Sequence, residues 1–375
     1  MKHTKQILAA LLALVLTFST LAGCSGKPAK GTSNSKTDTS KQQEASQDTS
    51  REITDMAGRN VTVPAKVTSV FSTGPAAAIY LYTLVPDLLL GWNYDLNEIE
   101  KSVILEKYHT LPNFGMGDSV NYEAVIAAGP DIAINVGAIN DAMISDCDSL
   151  SEQLGIPVIA VDGDLEAAAD AYRFMGELFD VSDQAEKLAA YAEKTFADID
   201  AMEIPADKKV RLYYGNGEDS LETAPKGSDH AQLIDLVKAE NVADLELGDG
   251  SRVQISAEQL LAWNPDVIAV VGEPKASLSG HSAADAILNN PNLASLKAVQ
   301  EGKVYGIPNA PFNWVDRPAG PNRIIGIRWL SGLLYPEYLN FDADDAVKEF
   351  FSLFYHVDLT EEQLQQLYNG TIGTK

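Results

Sequence analysis

The chain has 375 residues, enough for one large or two medium domains, and 45% of them are hydrophobic, ample for a core. Against 28 Lys and Arg stand 53 Asp and Glu, a formal charge of −25. That surplus argues against nucleic acid as a partner and against attraction to anionic membrane surfaces, and it suits a solvated acidic surface.

The first residues read as an export signal. Lys2 and Lys5 are basic, Ile7 to Phe18 is an apolar run too short to span a bilayer comfortably, and Leu21-Ala22-Gly23-Cys24 follows. These last four residues resemble the lipobox of bacterial lipoproteins, and the resemblance implies cleavage after residue 23 and lipidation of Cys24. Residues 25–50 hold no Val, Ile, Leu, Met or aromatic side chain, so they cannot bury enough apolar surface to fold. They read as a tether between lipid and domain. Only Cys147 remains after Cys24, which excludes an internal disulfide and any thiolate metal site. Cys147 itself reads as a small buried hydrophobe.

From residue 51 the predicted elements alternate. Residues 67–73 form a strand, 76–85 a helix, 87–92 a strand, 122–128 a short helix, 131–137 a strand apolar without alternation, 141–154 a helix and 157–163 a strand. Unbroken apolar strands between helices are the mark of a parallel sheet in a doubly wound unit. From Ser182 to Met202 apolar residues fall at Ala185, Leu188, Ala192, Phe196, Ile199 and Met202, a helical spacing that Pro205 ends. A helix of that size is about 30 Å long. Alternation then restarts: strands at 209–215, 266–272 and 303–308, helices at 230–238, 257–263 and 321–335.

One sentence is written twice. Residues 121–134, NYEAVIAAGPDIAI, are echoed by 256–270, SAEQLLAWNPDVIAV; Glu123 and Glu258, Pro130 and Pro265, and Asp131 and Asp266 are each 135 positions apart. The repetition predicts two similar α/β lobes, each holding the same helix-to-strand step, joined by one long rigid helix with a ligand cleft between them. The boundaries read as signal 1–23, tether 24–50, N-terminal lobe 51–181, linking helix 182–204 and C-terminal lobe 205–375.

ITDMAGRNVTVP (53–64), the twin Glu and Pro-Asp blocks, EQLGIPVIAVDG (152–163) and NRIIGIRWLSGLLYP (322–336) resemble the substrate-binding lipoproteins of ABC importers, in the helix-linked subgroup serving cobalamin, haem and ferric siderophores. The resemblance covers nearly all of 51–355. It implies a monomer anchored by lipid on the extracytoplasmic side of the cell membrane, which captures a metal chelate, an iron-siderophore first, and delivers it to a membrane permease. It also implies that Glu123 and Glu258 meet permease Arg residues, a job suited to two fixed anions, although both acids also sit in first turns where they favour the helix dipole.

The ligand set is read from loops that follow strands. Tyr94, in Trp92-Asn93-Tyr94, resembles a pocket Tyr of the cobalamin binder. Arg252 stands where that relative has a pocket Trp, which points away from cobalamin and toward a ligand with carboxylates or anionic oxygens. Trp314 and Arg317 lie in a Pro-rich loop with Phe312, and aromatic faces beside a guanidinium suit a flat or chelated ligand. For Trp92 and Trp314 core packing stands equally open. His230 is placed to bond ligand directly, or with Met116 to form a haem axial pair.

His3, His109, His230, His281 and His356 show no short ligand spacing, so no protein-bound metal is expected, and no cofactor. An enzyme is not expected either: Ser72-Thr73-Gly74 and Gly215–Asp219 lack partner sets, and no nucleophile elbow or Walker loop is present. Haem or corrinoid capture, or a surface sensor or adhesin on the same frame, are the remaining alternatives.

Overall fold

The computed structural model describes residues 49–246, 252–271 and 281–368. The signal segment, Cys24 and nearly all of the tether lie outside the described residues. Strand β1 (Ser50–Thr54) pairs antiparallel with β2 (Asn60–Pro64), so the fold begins at the last residue assigned to the tether. The hairpin is fastened by Asp55, whose carboxylate accepts hydrogen bonds from the backbone N–H groups of Ala57, Arg59 and Ala160 and from the Arg59 guanidinium.

In the N-terminal half, β3 (Val70–Ser72), β4 (Ile132–Gly137) and β5 (Val158–Asp162) form a parallel sheet in that order. Around it lie α1 (Pro75–Leu84), the single-turn α2 (Glu98–Lys101), α3 (Tyr122–Ala128) and α4 (Asp141–Leu154). Helices α5 (Ala168–Leu178) and α6 (Ser182–Asp200) follow β5. The C-terminal half holds a six-stranded sheet, β11-β10-β6-β7-β9 with β8 beside β6: β6 is Arg211–Asn216, β7 Glu222–Thr223, β8 Glu240–Asn241, β9 Val253–Gln254, β10 Val267–Val270 and β11 Val304–Gly306. Its helices are α7 (Gln232–Leu236), α8 (Ala257–Trp263), α9 (His281–Leu288), α10 (Lys297–Gln300), α11 (Asn322–Leu334), α12 (Ala343–Phe350) and α13 (Glu361–Tyr368). This is the expected pair of doubly wound α/β lobes with one long helix between them. No helix of the described residues is long and apolar enough to cross a membrane.

Two sequence expectations need correction. Residues 87–92 are not a strand: a 3-10 turn covers Pro86–Leu88, and Leu89 and Trp92 make only isolated bridges to Val70 and Asn113. Their apolar character serves packing rather than pairing. Helix α5 was not anticipated; its small side chains bury against α6, and an added Cβ at Gly176 would clash with the Ala185 side chain.

The repeated sentence proves to be a structural unit. Asn121 and Ser256 cap α3 and α8, accepting from the N–H of Ala124 and Gln259. Val125 and Leu260 are the fully buried anchors. Both helices end on a left-handed residue, Gly129 at φ 65° and Asn264 at φ 43°. Then Asp131 Oδ2 accepts from Thr68 and Ser69 at the head of β3, and Asp266 Oδ2 accepts from the Arg211 N–H at the head of β6. Each Asp therefore fixes the register of its parallel pair.

Helix α6 is held on both sides. Arg328 of α11, 2% exposed, donates from Nε to Thr195 Oγ1 at 2.8 Å and from an Nη to Asp198 Oδ2 at 3.0 Å. Its guanidinium also lies over the rings of Tyr191 and Phe341. The chain then returns: Phe354 packs edge-on to Tyr172 of α5, while Tyr355 and the His356 ring contact Tyr82 of α1. One apolar core thus runs through α1, α5, α6, α11 and the segment 350–355.

Candidate functional site

At the carboxyl end of the C-terminal parallel strands, where doubly wound sheets bind ligands, charged side chains gather on one carboxylate. Asp316, in the loop after β11, is only 3% exposed. Its Oδ1 accepts from His230 Nδ1 at 2.5 Å, and its Oδ2 from the Tyr214 hydroxyl at 2.8 Å and an Arg252 Nη at 2.7 Å. Burial alone would raise the Asp316 carboxyl; the hydrogen bonds from His230 and Arg252, with the Arg252 charge, outweigh it and hold the group below its ordinary range. The loop carrying Asp316 is seated by Gly326 of α11, where a Cβ would collide with the Trp314 carbonyl.

Arg317 places an Nη 3.1 Å from His230 Nε2. Arginine has no proton-accepting nitrogen, so this geometry assigns His230 as a neutral ring with its proton on Nδ1. Arg323, 6% exposed, joins from α11 and donates to Gln232 Oε1, and Gln232 in turn reaches Asp164 of the loop after β5 at 3.4 Å. Loops of both lobes therefore meet here. Arg252 bonds the buried carboxylate, Arg317 faces it across His230, and Arg323 is offset by Asp316 and by the exposed Asp164 and Asp229. The buried Arg252 Nε, Arg323 Nε and both polar atoms of the Asn216 side chain have no hydrogen-bond partner among the described residues. Buried donors left in that state are what an anionic oxygen ligand would satisfy.

Of the six residues expected to hold ligand, the structure brings three together: His230, Arg252 and Arg317. It withdraws both tryptophans. Trp92 is 4% exposed, donates its indole N–H to the Tyr108 carbonyl at 2.9 Å and packs on Tyr82. Trp314 is fully buried, bonded to the Ala310 carbonyl at 3.0 Å and wedged between Trp329 and Phe351. Both carry their polar handle to a backbone carbonyl and belong to the core, not to the cleft. Tyr94 is half-buried and spends its hydroxyl on Glu100 Oε1, 2.9 Å away. The axial pair with Met116 is also not formed: His230 has one nitrogen on Asp316 and the other facing Arg317, while Met116 lies on the exposed turn before α3. Asp316, Tyr214, Arg323 and Asn216 were not anticipated. A guanidinium inside NRIIGIRWLSGLL was the available signal, since a charge on an all-round apolar helix must have a partner.

Glu123 and Glu258 are both exposed on the first turns of α3 and α8. The short Gly129–Asp131 and Asn264–Asp266 turns reverse the chain. The Glu258 carboxyl is held below its usual range by its own backbone N–H and the Ser256 hydroxyl. Cys147 is buried, and burial pushes its thiol up. Among the described residues no group of three His, Cys, Asp or Glu side chains is placed to hold a metal ion.

The sequence profile described as periplasmic binding protein matches residues 86–311, more than half of the chain, and the protein belongs to that family. It is of the helix-linked class, whose members are solute-binding proteins of ABC transporters rather than enzymes, working with a small-molecule ligand and a permease. An ABC transporter solute-binding protein from Sulfurospirillum deleyianum superposes with a TM-score of 0.76 at 26% identity, over 85% of this chain and 99% of that one. The molybdate periplasmic binding protein MolA of Haemophilus influenzae gives 0.64 at 23%, over 83% and 99%. A TroA-like periplasmic binding protein, FepB, from Veillonella parvula gives 0.67 at 20%, over 82% and 97%. No curated protein matches the sequence.

Proposed function

We propose that this protein captures an anionic metal chelate, a ferric siderophore in the first instance, outside the cytoplasm and hands it to the permease of an ABC importer. The observation that carries this reading is the cluster around the buried carboxylate of Asp316, which Arg252 and His230 bond, with Arg317 on the far nitrogen of His230 and Arg323 close by. Guanidinium donors match ligand oxygens in geometry and charge. A small oxyanion is the second reading, because the loss of Trp92 and Trp314 to the core removes the aromatic walls that a flat haem or corrinoid would want. Arg252→Ala and Arg317→Ala should each weaken binding by about tenfold to a hundredfold, the worth of a charge-assisted hydrogen bond of about 1.5–3 kcal/mol. Titration calorimetry with ferric catecholates, ferric hydroxamates and molybdate would check this; unchanged affinity in both variants would remove the cluster from the ligand site.

Lipidation of Cys24 completes the proposal. A single acyl chain gives only marginal attachment, so stable anchoring needs more than one. Cys24→Ala is expected to release the protein into the medium, read by immunoblot of membrane and supernatant fractions. Retention of the variant on membranes would point to another anchor.

A further inference from the structure

We infer that the amino-end face of the C-terminal sheet carries a second small-molecule site, a hollow that takes a phosphate group borne on an apolar body. The hollow lies where β6, β10 and β11 begin, at the opposite end of these strands from the Asp316 cluster. Its volume is about 470 Å³, within the range of about 300–1,000 Å³ that small-molecule sites occupy. Lys208, Lys209, Lys297 and Lys303 line it with Asp207 and Asp266, four positive charges against two negative, on a chain whose formal charge is −25. The Lys297 ammonium is held by Asp266 Oδ1 at 2.6 Å and the Lys303 ammonium by Glu301 at 2.8 Å. The side chains of Lys208 and Lys209 make no hydrogen bond or ion pair among the described residues, and the hydroxyl of Tyr305, which also lines the hollow, makes none either. The rest of the lining is apolar: Val210, Val267, Leu333 and Leu334.

The fold does not need these cations. In the N-terminal lobe the matching step works with neutral partners: Asp131, 135 positions before Asp266, accepts from the N–H groups of Thr68 and Ser69 and from the Thr68 hydroxyl. In the C-terminal lobe Asp266 takes the Arg211 N–H and adds the Lys297 ammonium. The stretch bearing Lys208 and Lys209 is also braced. Just past α11 the Tyr335 hydroxyl accepts from the Val210 N–H at 3.0 Å and donates to the Lys238 carbonyl at 3.1 Å. The ligand class follows from charge and shape. A phosphomonoester carries about −1.5 to −2 at neutral pH, which matches the surplus of two lysines. Ammonium groups bind phosphate as point charges, and the Tyr305 hydroxyl adds a donor. The apolar lining then covers the organic body of the ester. The negative charge of the whole chain repels an anionic bilayer, so the ester is a soluble one rather than a lipid headgroup.

The test is titration calorimetry of the full chain with phenyl phosphate and with inorganic phosphate. Lys208→Ala with Lys209→Ala removes the two unpaired ammoniums at exposed positions that packing does not use. Arg252→Ala disables the Asp316 cluster instead. The expected result is saturable binding of phenyl phosphate, about tenfold or more tighter than inorganic phosphate, weakened by about tenfold or more in the lysine variant and unchanged in Arg252→Ala. No heat from phenyl phosphate at millimolar concentration would overturn the site. Binding lost in Arg252→Ala and kept in the lysine variant would assign the anion to the Asp316 cluster and overturn it as well. Equal affinity for the two phosphates would remove the apolar lining from the site and sink the proposed ligand class. Sedimentation with phosphatidate vesicles covers the lipid source: vesicle binding that the lysine variant abolishes, with no uptake of phenyl phosphate, would overturn the soluble ester in favour of a headgroup.

Discussion

Asp316→Ala is expected to lower the unfolding free energy by about 3 kcal/mol and to abolish ligand capture. The carboxylate is nearly dry and accepts from three side chains, and removing it leaves Arg252 without its counter-charge and His230 Nδ1 and the Tyr214 hydroxyl without their acceptor. Deleting one member of a buried ionic network costs about 3–5 kcal/mol, much more than such a network adds over an apolar core. Urea unfolding of the native and variant chains reads the difference directly. The Asp316 carboxyl is held below its ordinary range in the folded state, so its stabilising contribution is present above the unfolded value of 3.8 and declines as pH falls through the folded value. The gap between the two chains should therefore close in acid below about pH 4. A variant within about 1 kcal/mol of native at neutral pH would mean that the cluster re-forms around another anion, such as Asp229.

The second large effect concerns transport. The double variant Glu123→Lys, Glu258→Lys should fold, bind ligand with native affinity and fail to stimulate the transporter ATPase. Each acid lies outside the Asp316 cluster and on the surface, so capture has no use for it. A single exposed charge contributes little, but a charge that becomes desolvated opposite a cation costs about 2–5 kcal/mol when lost, and reversal at both lobes sets like against like. Proteoliposome ATPase assays and calorimetry on the same preparations decide it. Undiminished stimulation would end the docking assignment, and weakened ligand binding would move the acids into the pocket.

The architecture was legible where local chemistry decides it. Helices α3, α4 and α8 occupy the residues expected because each has its own cap, its buried anchor and a left-handed stop within a few positions. The linking helix, expected over 182–204, starts at Ser182 as read and ends at Asp200, four residues early. Apolar runs without alternation misled once, at 87–92, since DLLLGW is as apolar in a packed loop as in a strand. The site was legible only in part. His230, Arg252 and Arg317 could be picked singly from loops after strands, but the residue that assembles them could not, because Asp316 lies 86, 64 and 102 positions from His230, Arg252 and Tyr214. The tryptophans failed for a related reason: a loop tryptophan points inward or outward according to which carbonyl its N–H finds, and Tyr108 and Ala310 supply those carbonyls only in the folded chain. Half of the echo, finally, belongs to the fold. The Pro-Asp pairs hold strand register, which leaves the two glutamates as the part of the repeat that packing does not require.

The return of Phe354, Tyr355 and His356 to α1 and α5 also bears on the order of events during folding. His356 Nε2 meets the Tyr82 carbonyl across 274 positions of sequence, and the Tyr172–Phe354 ring contact also joins distant parts of the chain. Loop closure over such spans is slow compared with helix formation and local sheet pairing. A chain made N-terminus first therefore carries its first lobe with an apolar face still open until residues 354–356 have appeared. That delay makes the segment 350–356, which also packs Phe351 against Trp314 beneath the Asp316 loop, the piece that commits the chain to its folded form.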